Sequence, residues 1–129
     1  MINKNDLNDY FISGIKHKNN LKIGVEHEKF ILDKETLLPR NYDEIKGIRD
    51  ILEKLSTGRW VPAYDDNQKT IVALTKDRES ITLEPGGQIE LSGAPLDNIH
   101  ETCEETTSHL QDLKKVGEEF NFILLGMGV

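Results

Sequence analysis

The chain has a single cysteine, Cys103, among its 129 residues. It can therefore form no internal disulfide and no cysteine zinc cluster. Cys103 falls on the apolar stripe of a predicted helix, where we expect a buried, inert thiol. The sequence also lacks a Walker loop, a Gly-X-Gly-X-X-Gly fingerprint and a Ser-His-Asp pattern, so none of these motifs indicates its chemistry.

No apolar run is long enough to cross a bilayer, and the N-terminal MINKNDLNDY does not have the pattern of a signal peptide. These two absences predict a cytoplasmic protein without membrane contact. The length suits one domain with a hydrophobic core of its own.

Basic residues are outnumbered, with 16 Lys and Arg against 23 Asp and Glu, which gives a net charge of −7. This balance argues against nucleic-acid binding, because phosphates need Lys and Arg on the partner. The surplus carboxylates fit either an ordinary solvated surface or a protein that binds divalent cations.

The order of apolar and turn-forming residues predicts an α+β fold, an antiparallel sheet with flanking helices. A helix is predicted over Asn5–His17 and a strand over Leu21–Asp33. Asn41 and Glu44 form a capping-box pattern for a second helix that Gly58 ends. The expected buried side chains of this second helix are Ile45, Ile48, Leu52 and Leu55.

The middle of the chain reads as an antiparallel meander. Its four extended runs are Trp60–Tyr64, Thr70–Thr75, Ser80–Glu84 and Gln88–Ser92. A long helix capped by Asp97 should follow, and then a closing strand over Phe120–Val129. The predicted apolar stripe of the long helix comprises Leu96, Ile99, Cys103, Leu110, Leu113 and Val116.

Two glutamates, Glu84 and Glu90, stand in otherwise apolar extended sequence on either side of Pro-Gly-Gly, in the stretch ITLEPGGQIELSGAPL. Glutamate is a poor strand former, and its carboxylate is costly to bury without a partner. Alternation along a strand places Gln88, Glu90 and Ser92 on one face. The Pro-Gly-Gly permits either a tight hairpin or one kinked strand. The two carboxylates therefore face either open water or a cation.

A second acidic pair lies in IGVEHEKF, where Glu26 and Glu28 project from the same side of a strand, about 6.5–7 Å apart at their roots. If both segments share one sheet, the four glutamates converge. Two ionised carboxylates at that separation repel by roughly 2–3 kcal/mol at an effective dielectric near 20. Mg²⁺ suits such a group of hard oxygen ligands, although Glu-X-Glu on a solvated strand is also common. His27 points to the opposite face and is interpreted as a packed histidine.

These stretches, together with the helix text IHETCEETTSHLQDL and the final FNFILLGMGV, resemble the N-terminal part of glutamate–cysteine ligase, of the type found in plants and many proteobacteria. The resemblance runs from about Leu21 to Val129. It implies a fold related to the catalytic domain of glutamine synthetase, an antiparallel sheet curved around the active site.

The resemblance implies ligation of the γ-carboxylate of glutamate to the amine of cysteine with ATP, through γ-glutamyl phosphate, in the first step of glutathione synthesis. It assigns Mg²⁺, with Mn²⁺ as a substitute, to four ligands: Glu26, Glu28, Glu84 and Glu90. It makes Gln88 a neighbour that can hydrogen-bond a bound ligand. No further catalytic residue is assigned, because phosphoryl transfer needs cations and alignment rather than a protein nucleophile.

Enzymes of this family are longer, so residues 1–129 are expected to be the N-terminal portion of one catalytic domain that continues beyond Val129, and to be inactive alone. Two alternatives fit the same residues. One is a related ligase with another amine acceptor, and the other is a non-catalytic remnant that binds metal or a partner protein.

Overall fold

An antiparallel sheet of six strands organises the computed structural model, which describes residues 2–127. The strand order is β2-β3-β4-β5-β1-β6. Three α-helices accompany the sheet, so the predicted α+β class is confirmed. The elements are α1 Lys4–Ser13, β1 Glu26–Asp33, α2 Ile48–Ser56, β2 Val61–Tyr64, β3 Ile71–Lys76, β4 Glu79–Glu84, β5 Gln88–Ser92, α3 Ile99–Phe120 and β6 Phe122–Leu125.

Helices α2 and α3 pack on one face of the sheet, and the hydrophobic core lies between them and the strands. Strand β5 shows why the two faces differ. Ile89 and Leu91 are fully buried against the core, while Gln88, Glu90 and Ser92 point to the other side, because successive side chains of a strand alternate.

The four predicted runs of the meander are confirmed as β2 to β5. Glu84 pairs with Gln88, so the Pro-Gly-Gly segment between them makes a hairpin rather than a kink in one strand. Gly86 and Gly87 have φ angles of 81° and 75°. Residues with a Cβ rarely adopt this left-handed region, which explains the glycines here.

The predicted start of α2 is wrong. Asn41 does interact with Glu44, through a 3.1 Å hydrogen bond from Nδ2 to Oε2, but residues 41–47 form turns and the helix begins at Ile48 after Gly47. Lys46 has a φ of 58°, and a right-handed α-helix cannot include a residue with a positive φ. A Cβ on Gly47 would lie 2.3 Å from the carbonyl oxygen of Asn41, so the turn packs tightly only with glycine there.

This turn also moves Ile45 out of the core, where it had been expected; its side chain is 88% exposed. The remaining predicted core residues of α2 are buried, and Ile51 joins them. The buried set is Ile48, Ile51, Leu52 and Leu55.

Helix α3 is capped by Asn98, whose side-chain oxygen accepts hydrogen bonds from the backbone N–H groups of His100 and Glu101. The predicted cap, Asp97, instead forms an ion pair with Lys22. The buried stripe is also shifted, since Ile99 is 61% exposed. The buried residues of α3 are Thr102, His109, Leu113, Val116 and Gly117.

Cys103 is exposed on α3, so the prediction of a buried thiol is wrong. Cys103 is exposed because the buried face of α3 is rotated by about one position. Thr102 and His109 are buried in place of their neighbours Cys103 and Leu110. Thr102 is 3% exposed and His109 is 1% exposed.

The N-terminal end of the chain adds little to the core, whereas β6 contributes Phe122. Helix α1 is shorter than the predicted Asn5–His17 and has no buried residue. Strand β1 begins at Glu26 rather than Leu21, although Ile23 makes an isolated bridge to Leu96. Within residues 2–127, β6 pairs only with β1 and is an edge strand; the last two residues of the predicted Phe120–Val129 strand lie outside the described residues.

None of the helices within residues 2–127 has both the length and the apolar content needed to span a bilayer.

Candidate functional site

The four glutamates singled out in the sequence lie on the sheet face that is turned away from α2 and α3. We call this the acidic face, defined by Glu26, Glu28, Glu84 and Glu90. Glu28 on β1 stands directly opposite Glu90 on β5, and Glu90 also faces Thr82 on β4. Directly opposed residues of antiparallel strands have Cβ atoms about 4.5–5.5 Å apart. The register therefore gathers carboxylates from three strands.

Electrostatics show that these carboxylates affect one another. The pKa of Glu84 is raised, first by burial, then by hydrogen bonding with Glu90 and by the negative charges of Glu90, Glu28 and Glu26. All four glutamates therefore contribute to one region of negative potential, and a cation bound there would relieve the repulsion.

Two neighbours on β5 hold two of the carboxylates. Gln88 donates from Nε2 to Oε2 of Glu28 at 3.2 Å, and Ser92 donates from Oγ to Oε1 of Glu90 at 2.6 Å. Gln88 is 1% exposed and Glu90 is 7% exposed. The other amide atom of Gln88, Oε1, has no hydrogen-bond partner among the described residues. The acidic face is thus polar and shielded from solvent at Gln88 and Glu90, whereas Glu26 and Glu28 are exposed.

The donor set fits a hard divalent cation in chemistry, because carboxylate and amide oxygens are the ligands that Mg²⁺ and Mn²⁺ prefer. Within residues 2–127, however, no three acidic, histidine or cysteine side chains are close enough together to hold a metal ion as they stand. Chelation would require the glutamates to turn their carboxylates inwards about their side-chain torsions. The predicted role of the four glutamates as metal ligands stays a prediction.

Basic residues are absent from the acidic face over the strands of the described region, where the positions on this side are acidic, hydroxyl, amide or apolar. This composition can attract a cation, but it offers no lysine or arginine to grip a phosphate or the carboxylate of a substrate.

The histidines lie elsewhere, as the sequence predicted for His27. That residue faces Leu91 across β1 and β5 on the core side, and Nζ of Lys29 lies 3.0 Å from its Nε2. Burial and the charge of Lys29 lower the pKa of His27. His109 on α3 is buried, and neither of its ring nitrogens has a hydrogen-bond partner within residues 2–127. Burial first, and then the charge of His27, lower the pKa of His109 to about 4.

Sequence reasoning missed the hydroxyl of Ser92 as a partner of Glu90. The alternation of side chains placed Ser92 and Glu90 on one face of β5. That spacing does not show which neighbouring group accepts the hydrogen bond of the Ser92 hydroxyl. The signal that could have found it is chemical, since a serine next to a glutamate on a shielded face offers the nearest donor to an acceptor-only carboxylate.

An antiparallel sheet with helices on one face and gathered carboxylates on the other defines an α+β protein with a candidate cation-binding face. Residues 22–129 match the model of glutamate-cysteine ligase family 2 (GCS2), and the chain belongs to this family.

Curated relatives agree with this assignment. The chain is 47% identical over 128 residues to glutamate–cysteine ligase B, chloroplastic, of Oryza sativa subsp. japonica, a match that covers 98% of this chain and 25% of the relative. It is 43% and 42% identical to the chloroplastic glutamate–cysteine ligases of Brassica juncea and Arabidopsis thaliana, covering 98% of this chain and 24% of each. The chain thus spans about a quarter of the length of these relatives.

The names of these relatives also correct one prediction. Each is a chloroplastic protein, which contradicts the cytoplasmic location inferred from the N-terminal sequence. The inference was wrong because the lack of a secretory signal pattern argues only against secretion and says nothing of other compartments.

Proposed function

We propose that this chain supplies the divalent-cation face of an ATP-dependent ligase that joins the γ-carboxylate of glutamate to the amine of cysteine through γ-glutamyl phosphate. The observation that carries the proposal is the register that sets Glu28 opposite Glu90, with the raised pKa of Glu84 beside them. Family membership and the names of the relatives support the choice of substrates.

Each glutamate has a defined part in this proposal. Glu26, Glu28, Glu84 and Glu90 would hold Mg²⁺ or Mn²⁺ through their carboxylate oxygens. A cation bound there would offset the negative charge on the phosphates of ATP and help to align them with the attacking carboxylate. The strands β1, β4 and β5 fix the spacings of the four backbone positions, so cation binding would require only the side-chain rotations described above.

The anionic substrates need more than the acidic face. Because the acidic face presents no lysine or arginine over the described strands, where Lys29 and Lys76 lie on the opposite side, we expect the groups that grip phosphate and substrate carboxylates to come from outside residues 2–127. We therefore expect the purified 129-residue chain to form no γ-glutamylcysteine from glutamate, cysteine and ATP. Robust turnover by this chain would contradict that expectation.

Titration of the purified chain with Mn²⁺, followed by the loss of the free-ion electron paramagnetic resonance signal, tests the cation face directly. We expect binding to the wild-type chain and at least about tenfold weaker binding after Glu90→Gln, which removes a charge and keeps the shape. Glu104→Gln is the matched control, since Glu104 is exposed on α3 away from the acidic face. Equal affinities of the wild type and both variants, or no binding at all, would refute the cation face.

The chemical part of the proposal is tested in a longer family member. The 128-residue match to the rice enzyme allows the substitution equivalent to Glu90→Gln to be made at the aligned position. We expect ATP-dependent ligation of glutamate to cysteine to fall by more than about tenfold. Unchanged ligation rates at limiting and at saturating Mg²⁺ would argue against the ligand role.

A further inference from the structure

We propose that β6 is an interior strand in longer members of the family, and that an extended segment of the same polypeptide, from outside residues 2–127, pairs with its open edge. The inference does not rest on the proposed cation face, because it concerns the edge of the sheet and involves no metal. It comes from three features of β6: its side-chain pattern, the direction of its backbone groups and the groove beside it.

The side chains of β6 are apolar on both faces of the sheet. Phe122 and Leu124 lie on the core side, where they pack with the hydrophobic core. Ile123 and Leu125 lie on the other side and are 36% and 41% exposed. A strand with one face in water normally alternates apolar and polar residues, as β5 does, whereas an unbroken apolar run is typical of a strand buried on both faces. The pattern of β6 is therefore that of an interior strand.

The hydrogen-bond register shows which backbone groups of β6 point to the open edge. The N–H of Lys34 donates to the carbonyl oxygen of Asn121 at 3.0 Å, just beyond the ladder between β1 and β6. Residues of an antiparallel strand bond to a given neighbour at every second position. Ile123 and Leu125 therefore bond to β1, while the N–H and C=O groups of Leu124 point away from it. Both groups of Leu124 are oriented to pair with a further strand.

The two edges of the sheet differ in how they are protected. At the β2 edge, Pro62 has no N–H with which to continue a ladder, and proline is confined to edge strands for that reason. Strand β6 has neither a proline nor a charged residue over Phe122–Leu125. Natural proteins protect or cover apolar edges, because such edges otherwise pair with other chains and aggregate. We therefore expect a covering segment at the β6 edge and none at the β2 edge.

An apolar groove of about 400 Å³ lies beside this edge, between β6 and α3. Its apolar lining comprises Leu110, Leu113, Phe122 and Leu124. Lys34 and Lys114 also line it, and neither forms an ion pair within residues 2–127. A segment that covers the edge should therefore place apolar side chains in the groove and an acidic side chain beside these lysines.

The length of the relatives points to the source of this segment. The match covers 25% of the rice enzyme, so most of that polypeptide lies outside it and is available to cover the edge. A segment of the same polypeptide is held near β6 at a high effective concentration, an advantage that a separate chain lacks. We therefore assign the edge to a strand of the ligase itself rather than to a second copy.

Hydrogen exchange at single residues tests the proposal without any substitution. In the 129-residue chain, diluted until it is monomeric, the amide of Leu124 should exchange at least about 100-fold faster than that of Ile123, which bonds to β1. In the full-length rice enzyme, the amides aligned with both residues should be protected to a similar degree. Fast exchange at the position aligned with Leu124 in the rice enzyme, or protection of Leu124 in the monomeric 129-residue chain, would overturn the proposal.

Dilution of the rice enzyme distinguishes the two possible occupants of the edge. Protection by a segment of the same polypeptide does not depend on the enzyme concentration. Protection of the position aligned with Leu124 that is lost on dilution would assign the edge to a second copy and overturn the proposal. Neither result bears on Mn²⁺ binding by the acidic face, so the two proposals fail separately.

Leu125→Lys tests the burial of β6 on its second face. Leu125 is 41% exposed in this chain, so lysine should change the melting temperature of the 129-residue chain by less than about 2 °C. The equivalent substitution in the rice enzyme should lower the melting temperature by at least about 5 °C, because it buries an unpaired charge. Val61→Lys on β2, where Val61 is 62% exposed, is the matched control and should be tolerated in both proteins. Equal tolerance of the two substitutions in the rice enzyme would contradict an interior position for β6.

Discussion

Burial and the neighbouring carboxylate of Glu90 together raise the pKa of Glu84, although the two side chains come from different strands of the hairpin. The strain of holding like charges together is thus already present in the metal-free chain. Like charges held close together lower the stability of the folded chain, because they lie farther apart in the unfolded chain.

Glu84→Gln is expected to stabilise the metal-free chain at neutral pH. Because the folded pKa of Glu84 is raised, its contribution is most favourable at low pH and is lost as the pH rises through the folded pKa. Glutamine does not ionise, so the variant loses no stability as the pH rises through that pKa. Urea unfolding at pH 7.5 should show the variant to be more stable than the wild type, with the difference shrinking at pH 4. Glu104→Gln serves as the control, and an advantage for Glu84→Gln of the same size at both pH values would contradict the explanation.

His109 predicts a second pH dependence of stability. Its pKa is lowered from 6.5 to about 4 in the folded chain, by burial and then by the charge of His27. The unfolded chain therefore binds the proton more readily, so stability is complete above pH 6.5 and is lost as the pH falls towards 4. The full loss is about 3 kcal/mol at 1.36 kcal/mol per pK unit.

His109→Leu should remove most of this slope, since leucine fills a similar volume without a titrating group. The free energy of unfolding, measured at several pH values between 4 and 7, checks the expectation. His100→Leu is the control, because His100 is exposed on the same helix and its substitution should leave the slope unchanged. A slope that persists in His109→Leu would assign it to other groups.

Arg40 ties the loop before α2 to the end of α3. Its guanidinium donates to Oδ2 of Asp33 at 2.7 Å and to the carbonyl oxygens of Phe120 and Asn121 at 3.2 and 3.3 Å. Arg40→Met should lower the free energy of unfolding by about 1–3 kcal/mol, because Asp33 loses its cationic partner and the carbonyl of Phe120 loses a donor. The loss is no larger because Asp33 keeps its bonds from Glu35 and Thr36, and the Asn121 carbonyl keeps that from Lys34. Chemical denaturation measures this loss.

Lys54→Met provides the comparison for Arg40. Lys54 forms an ion pair with Glu119 in which the side chains are 40% and 53% exposed, and such surface pairs contribute at most about 1 kcal/mol. Equal effects of the two substitutions would show that the contacts of Arg40 add little.

Gly86→Ala should disturb the hairpin that joins β4 to β5. Gly86 has a φ of 81°, and a Cβ there would lie 3.2 Å from Cε1 of Phe30. The left-handed backbone alone costs alanine roughly 1–2 kcal/mol. We expect a lower melting temperature, whereas Gly58→Ala, at a position with ordinary φ and room for a Cβ, should have a much smaller effect. A neutral Gly86→Ala would mean that the hairpin can rearrange freely.

The sequence predicted the sheet well where the information is local. Alternation along β5 is a two-residue period, so it correctly separated Ile89 and Leu91 from Gln88 and Glu90. Turn-forming residues between the runs marked the meander in the same way. The gathering of the four glutamates followed once both segments were assumed to share a sheet.

The predictions failed for local structure that depends on packing against residues far apart in the sequence. The Asn41 and Glu44 pair does interact, but tight packing at Gly47 and the positive φ of Lys46 turn that segment away from helix. The buried face of α3 includes His109, which an apolar pattern cannot reveal. The partner of Glu28, Gln88, depends on the register of strands far apart in the chain, and spacing alone does not contain that register.

The position of β1 between β5 and β6 has a consequence for synthesis. Both neighbours come later in the chain, so β1 must wait on the ribosome while the local meander assembles and α3 emerges. Long-range pairing of this kind slows folding. In the nascent chain β1 therefore stays unpaired until Gln88–Ser92 has emerged, and Ile31, which is buried in the folded chain, is exposed during that time.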